Sequence, residues 1–332
     1  MTMNSRLKLL LSNANITKLI ATCRPARTIV LMYHDLRTDD DFENWLRVSN
    51  KDFDYQLMRL KQVGDFIGPD DLFSPSRDRR PRFLITFDDG YRNNIQLAAP
   101  ILRKYNAPAL FFISTRHMQE QLFFWPDVIV TPLQALQLDS LDLRNFDLGQ
   151  FQFRPMGSPE RWDDIQVLLV SLKNLGNTNN PTVAAVLRHM QKEYAEPLAK
   201  HLPRFRPINS SELKEMSREP LFHFGSHAHH HDILTFQKDG AVDANLKKSQ
   251  SILEELTGRR IKHLAYPNGN CDARIIARAE RIGYTRGYVV KTGIVNSKTS
   301  AMVLPRLGIG GIGHRSLPFF QLNRLLVEAI LE

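Results

Sequence analysis

Cysteine is almost missing from this chain: its 332 residues include two, Cys23 and Cys271. A disulfide-stapled scaffold is therefore excluded, and a reducing compartment is expected. Long apolar runs are missing as well, and none approaches the roughly 20 residues of a membrane-spanning helix. The apolar stretch within Met1 to Ser12 is too short and too interrupted for a secretory leader. The expectation is a cytoplasmic protein, with the inner face of the membrane as its one membrane contact. Acidic residues are outnumbered, 35 Asp and Glu against 44 Lys and Arg, for a formal net charge of +9. That balance favours anionic partners: nucleic acid, phosphorylated lipids or acidic glycans. No nucleic-acid-binding motif accompanies it, so nucleic acid is not expected as a partner. Internal repeats and low-complexity tracts are also absent.

The remaining composition, 42 % apolar and 24 % charged, is that of a globular protein. Leu7, Leu10, Leu11, Ile16, Leu19 and Ile20 lie near helical spacing among Arg6, Lys8 and Lys18. Residues 1–27 thus read as a helical segment, packed on the domain or resting on an anionic membrane. From Thr28 onward, continuous apolar runs alternate with helical patterns. Strands are expected over 28–33, 83–87, 109–113, 222–225, 263–266 and 287–290, and helices over 53–63, 93–105, 242–257 and 272–282. Residues 116–206 break the alternation and read as a long insertion, with helices near 163–172 and 181–198. A final amphipathic helix is expected over 316–331. Strand–helix alternation through 28–332 fits an α/β fold of the β/α-barrel kind, whose chemistry gathers where strands end.

The strand ends are rich in ligands and proton carriers: His34-Asp35, Asp88-Asp89, Ser114-Thr115, Ser226-His227, Tyr266-Pro267-Asn268 and Arg306. Two adjacent carboxylates closing a buried strand disfavour joint ionisation unless a cation sits between them. A metal settles that conflict, with one Asp as ligand and the other free to move protons. His227 and His231 are four apart and face one ion if the segment turns helically. With Asp89 they make a zinc-type set of three protein ligands. The zinc-protease helix motif needs Glu after its first His, and Ala228 stands there. Phe123-Phe124-Trp125 suits either core packing or stacking on a sugar ring.

Two stretches in this order, Thr86-Phe87-Asp88-Asp89-Gly90 and Gly225-Ser226-His227-Ala228-His229-His230-His231, resemble the first two motifs of the polysaccharide deacetylase family, whose members carry the nodulation-type deacetylase domain. Ala265-Tyr266-Pro267-Asn268-Gly269 resembles the third, and Val30-Leu31-Met32-Tyr33-His34 the opening strand of one bacterial branch. The resemblance implies a distorted (β/α)₇ barrel, here with the helical insertion between the first and second motifs. It implies a divalent metal, foremost Zn²⁺ with Ni²⁺, Co²⁺ or Mn²⁺ as alternatives, on Asp89, His227 and His231. It implies Asp88 as catalytic base, and Tyr266 and Asn268 at the oxyanion and substrate. The implied activity removes acetyl groups, foremost N-acetyl, from carbohydrate during surface-polysaccharide or glycolipid synthesis, with a lipid-linked sugar among the candidate substrates. The chain departs from the family twice. Ala265 stands where an Arg often steadies the base, and Arg306 is the candidate replacement. The late Leu-X-X-His motif that supplies the acid is not evident, leaving His34 and His314 as candidates, with His34 favoured because it ends the first strand. These departures also motivate a second reading, a catalytically silent barrel that binds glycans.

Overall fold

The computed structural model describes residues 28–38, 47–74, 80–158 and 160–309. The expected N-terminal segment 1–27, His314 and the helix over 316–331 lie outside the described residues.

Eight parallel strands build one curled sheet: β1 Thr28–Tyr33, β2 Asp65–Phe66, β3 Arg82–Phe87, β4 Ala109–Ile113, β5 Phe222–Ser226, β6 His263–Ala265, β7 Arg286–Tyr288 and β8 Leu307–Gly308. Their order is β7-β6-β5-β4-β3-β1-β8, with β2 beside β3. A single parallel bridge, Tyr288 with Leu304, brings the two ends of that order together. This is the β/α barrel that the alternation fits, in the distorted form that the family resemblance implies.

The core strands are continuous apolar runs because they are buried on both faces. Ile29, Leu31, Phe83, Ile85, Phe111 and Ile113 pack outward against helices. Val30, Leu84, Leu110, Phe112 and Tyr288 fill the barrel interior. Helices cover the outside: α1 Asn50–Val63, capped by the Ser49 hydroxyl, α2 Ala99–Tyr105, and beyond the insertion α8 Ser210–Met216, α9 Asp239–Thr257 and α10 Ala273–Ile282. The helix expected over 93–105 begins instead as a π-helical turn, Asn94–Ala98. Pro100 has no N–H to return to residue 96, so the regular ladder cannot run through it.

The insertion holds α3 Thr115–Glu120, α4 Trp125–Ala135, α5 Arg161–Asn174, α6 Pro181–Glu193, α7 Ala195–His201 and an antiparallel hairpin, Ser140–Asp142 with Gln150–Gln152. The helix expected near 181–198 is broken at Tyr194, because Pro197 cannot donate to Glu193. Ile129, Leu133, Ile165, Leu169, Val186 and Met190 give the insertion its own apolar cluster. Its exit returns to the barrel beside the β3 loop: Arg92 N–H donates to Arg206 O at 2.8 Å, and Ile208 N–H to Gly90 O at 2.8 Å.

Gly225 lies where β5 meets the ring of Phe112. A Cβ there would sit 2.7 Å from the ring and 3.0 Å from His263 O. Overpacking of this kind costs about 1–3 kcal/mol. Gly225→Ala is therefore expected to lower the urea midpoint at unchanged m-value, and an unchanged midpoint would show that the interior has slack.

Candidate active site

Alternation along β3 sends Leu84, Thr86 and Asp88 inward, so the next residue should face away. Asp89 does not, because its φ is +71°. This left-handed step, followed by Gly90 at φ +84°, swings the second carboxylate back beside the first. Asp tolerates the conformation better than most side chains. Both carboxylates are buried, at 2 % and 5 % exposure.

Asp89 meets two imidazoles. Its Oδ1 lies 3.3 Å from His227 Nε2 and 3.1 Å from His231 Nε2. The segment carrying the histidines is not helical, contrary to what their spacing suggested. It is a loop in which Ala228 and His231 take φ of +60° and +58°. Asn245 holds that loop, its Oδ1 accepting from His229 N–H at 2.6 Å and His230 N–H at 3.3 Å. The Ser114 hydroxyl donates to His227 O, and the Ala228 N–H to Ser226 Oγ.

This donor set fits a divalent metal. Two ligands of a tetrahedral site at 2.0–2.1 Å from the ion stand about 3.3–3.4 Å apart, close to both measured separations. His227 Nδ1 faces the Ala265 carbonyl at 2.8 Å, which takes the Nδ1 proton and leaves the Nε2 lone pair aimed at Asp89. Among the described residues these three form the one group able to hold a metal. While the two rings still carry their Nε2 protons, burial would raise the Asp89 carboxyl, but His231 and His227 hold it well below the usual carboxylate range.

Asp88 has a different partner. Arg306 Nη1 and Nη2 donate to its two oxygens at 2.6 and 2.7 Å, a bidentate fork. Arg306 is fully buried, its guanidinium also donating to Val289 O and Thr86 Oγ1. Burial favours a neutral Asp88, yet Arg306, with His227 and His34, keeps it below its ordinary value. His34 follows β1, with Nε2 3.9 Å from Asp88 Oδ2. Burial pushes its imidazole down despite Asp89 and Asp88, so it rests neutral at pH 7.

These groups floor a cavity of about 300 Å³. His34, Asp88, Asp89, His227, His231 and Asn268 all line it. Tyr266 does not, and its expected place at the substrate is corrected here. Its N–H is used by Tyr288 O and its hydroxyl donates to Met302 O at 3.1 Å, on the buried side of the strand end. The residue that reaches the cavity from the Tyr266-Pro267-Asn268 turn is Asn268, at φ +59°. His229 is buried against Thr115 Oγ1, while His230 reaches the cavity edge.

The opposite wall comes from the insertion, and sequence reading missed most of it. Phe124 and Trp125 both line the cavity, and Phe124, the more buried of the two, packs edge-on to His231 at 4.9 Å. Asp127, two residues on, lines it too at 4 % exposure. Its Oδ2 accepts from the Tyr91 hydroxyl at 2.8 Å. Burial pushes its carboxyl up to about 8. Lys173 reaches over from α5, its Nζ donating to Asn268 Oδ1 at 2.8 Å. His117 stacks on Phe124 at 4.2 Å, and burial pushes it down to about 3. The one sequence signal is an acidic residue one proline beyond an aromatic run.

A family model described as polysaccharide deacetylase matches residues 76–149 and 162–287. YxkH of Bacillus subtilis, named as a candidate polysaccharide deacetylase, is 28 % identical over 180 residues, which is 50 % of this chain. The chain spans 63 % of that relative's length. The fold is shared with the Streptococcus pyogenes deacetylase PplD, solved with acetate, at TM-score 0.57 and 17 % identity over 92 % of this chain and 99 % of that one. It is shared also with IcaB from Ammonifex degensii, at TM-score 0.56 and 16 % identity over 91 % and 98 % of the two chains.

Removing one member of a buried ion pair leaves an uncompensated charge, at a cost of about 3–5 kcal/mol. Arg306→Met is expected to lose stability on that scale in urea unfolding, and adding Asp88→Asn should recover a large part of the loss. Strictly additive losses in the double variant would show that the pair is not coupled.

Proposed function

The chain belongs to the polysaccharide deacetylase family, and from that premise we propose that it is a metal-dependent hydrolase that removes N-acetyl groups from a carbohydrate. The observation that carries this reading is a division of labour between adjacent carboxylates. Asp89 stands in a three-ligand set with His227 and His231, while Asp88 is withheld from that set by Arg306. A divalent ion on the three ligands, foremost zinc, supplies a Lewis acid for the acetyl carbonyl and lowers the pKa of a water towards about 7.

The chain's own residues supply the remainder. Arg306 keeps Asp88 ionised at neutral pH, so Asp88 takes the proton of the attacking water. Neutral His34, on the same wall, relays that proton from Asp88 to the departing amine nitrogen. General acid–base steps of this kind contribute about 10²–10⁴-fold. The Asn268 backbone N–H, which follows Pro267, is the donor proposed for the charge growing on the carbonyl oxygen, an interaction worth about 3–4 kcal/mol. Trp125 offers the sugar an aromatic face. The net charge of +9 and Lys173 at the cavity favour a sugar on an anionic carrier, such as a phosphorylated lipid. A silent glycan-binding barrel would have no use for three converging ligands beside a separately clamped base.

Asp89→Ala, His227→Ala and His231→Ala are each expected to lose bound metal by elemental analysis and to abolish acetate release. Asp88→Asn should keep the metal and lose about 10²–10⁴ in rate. Full activity in Asp88→Asn would remove it as the base.

A further inference from the structure

The insertion does more than lengthen the chain: it roofs the reactive end of the barrel and is pinned on two sides of it. Lys173 Nζ donates to Asn268 Oδ1 at 2.8 Å, tying the end of α5 to the turn after β6. Three residues after α5, Asn177 ties the chain to the histidine loop. Its Oδ1 accepts from Ile233 N–H at 2.8 Å, and its Nδ2 donates to Ile233 O at 3.5 Å. Lys173 and Asn177 both line the cavity. The pins therefore close two sides of the space above Asp88, Asp89 and His231. Trp125 and Asp127 line the same space from α4.

What remains is about 300 Å³, the bottom of the range for small-molecule pockets of roughly 300–1,000 Å³. A groove for the interior of a polymer needs two open ends, whereas here the pins bridge the insertion to two barrel loops at the cavity. The polar equipment also suits an enclosed sugar. Asp127 is almost wholly buried, yet it lines the cavity with only one oxygen held by Tyr91. A buried carboxyl of this kind reads a hydroxyl strongly, because a ligand lacking that hydroxyl leaves it unpaired. Trp125 supplies the apolar surface beside it.

Resting on the deacetylase reading above, we propose that the pinned insertion makes this site a pocket for one free or chain-terminal acetylated sugar unit, with Asp127 as the positioning residue for a sugar hydroxyl. The enzyme then removes one acetyl group per chain end and leaves internal units untouched.

The test is product mapping with the full-length, metal-loaded protein. The probes are N-acetylglucosamine, N-acetylgalactosamine and oligomers of each from two to six units, with 4-nitrophenyl acetate as a sugar-free ester. Mass spectrometry counts the acetyl groups lost and locates them. The expected result is at most one loss per chain, at a terminal unit, with monomers or dimers processed at least as well as hexamers. Removing both pins, in Lys173→Ala/Asn177→Ala, should raise the rate on hexamers relative to dimers by about tenfold, the factor that 1.4 kcal/mol of relieved obstruction yields. Asp127→Ala should raise KM for the sugar more than it lowers kcat, with Asp127→Asn restoring part of the loss. Several losses per chain, or processing only of the longer oligomers, overturns the pocket and leaves the deacetylase reading standing. Cleavage of 4-nitrophenyl acetate with release from no sugar overturns the carbohydrate reading, and the pocket with it.

Discussion

Two carboxylates side by side in a low-dielectric interior repel strongly, and each must be given its own counter-charge to stay ionised. Asp88 and Asp89 meet that constraint in opposite ways. Asp88 keeps the inward direction that strand alternation assigns it and meets Arg306 rising through the barrel interior. Asp89 is itself left-handed, which turns it back to meet His227 and His231 from the end of β5, two strands away. A left-handed conformation at a non-glycine residue costs of order 1–3 kcal/mol and persists only where its surroundings enforce it. Here the enforcing contacts are the β1–β3 pairing through Asp88 N–H and Tyr33 O, and the return of residues 206–208 onto Gly90 and Arg92.

The insertion is therefore coupled to the chemistry from both directions. Its exit braces the loop that carries Asp89, and Tyr91, two residues after that ligand, hands its hydroxyl to Asp127 in the insertion. Phe124 packs edge-on against His231 and stacks on His117, so the His231 imidazole is oriented partly by the inserted segment. The barrel supplies the reactive groups. The insertion supplies part of the wall, with Trp125, Asp127, Lys173 and Asn177 lining the cavity.

Much of this was legible in the sequence where burial dictates pattern. β1, β3 and β4 are sandwiched between helices and barrel interior, so they read as unbroken apolar runs, and His34, Asp88 and Asp89 just past β1 and β3 line the cavity. Arg306 could be suspected only from its place beside a late strand. Its fork to Asp88 spans 218 residues, and no local spacing encodes a contact of that range. The histidine pair was identified for a partly wrong reason: a spacing of four suggested a helix, whereas left-handed Ala228 and His231 bring the rings together in a loop. Tyr266 was placed at the substrate through its neighbours, but its hydroxyl found a closer partner in Met302 O. The α4 helix was hidden by Pro126 and Pro132. The first fits a helix start, and the second sits within the helix. Asp127 escaped notice because a lone carboxylate shows its importance only once burial is known.

The central claim is that the metal takes Asp89 and leaves Asp88 to Arg306. Anomalous diffraction from crystals of the purified protein, recorded at the absorption edge of the ion it carries, tests this most directly. The account predicts one peak, about 2.0–2.2 Å from an Asp89 oxygen and from Nε2 of both His227 and His231, with both Asp88 oxygens still on the Arg306 guanidinium. A peak ligated by Asp88, or no peak at these residues in protein that still releases acetate under chelator, would contradict it.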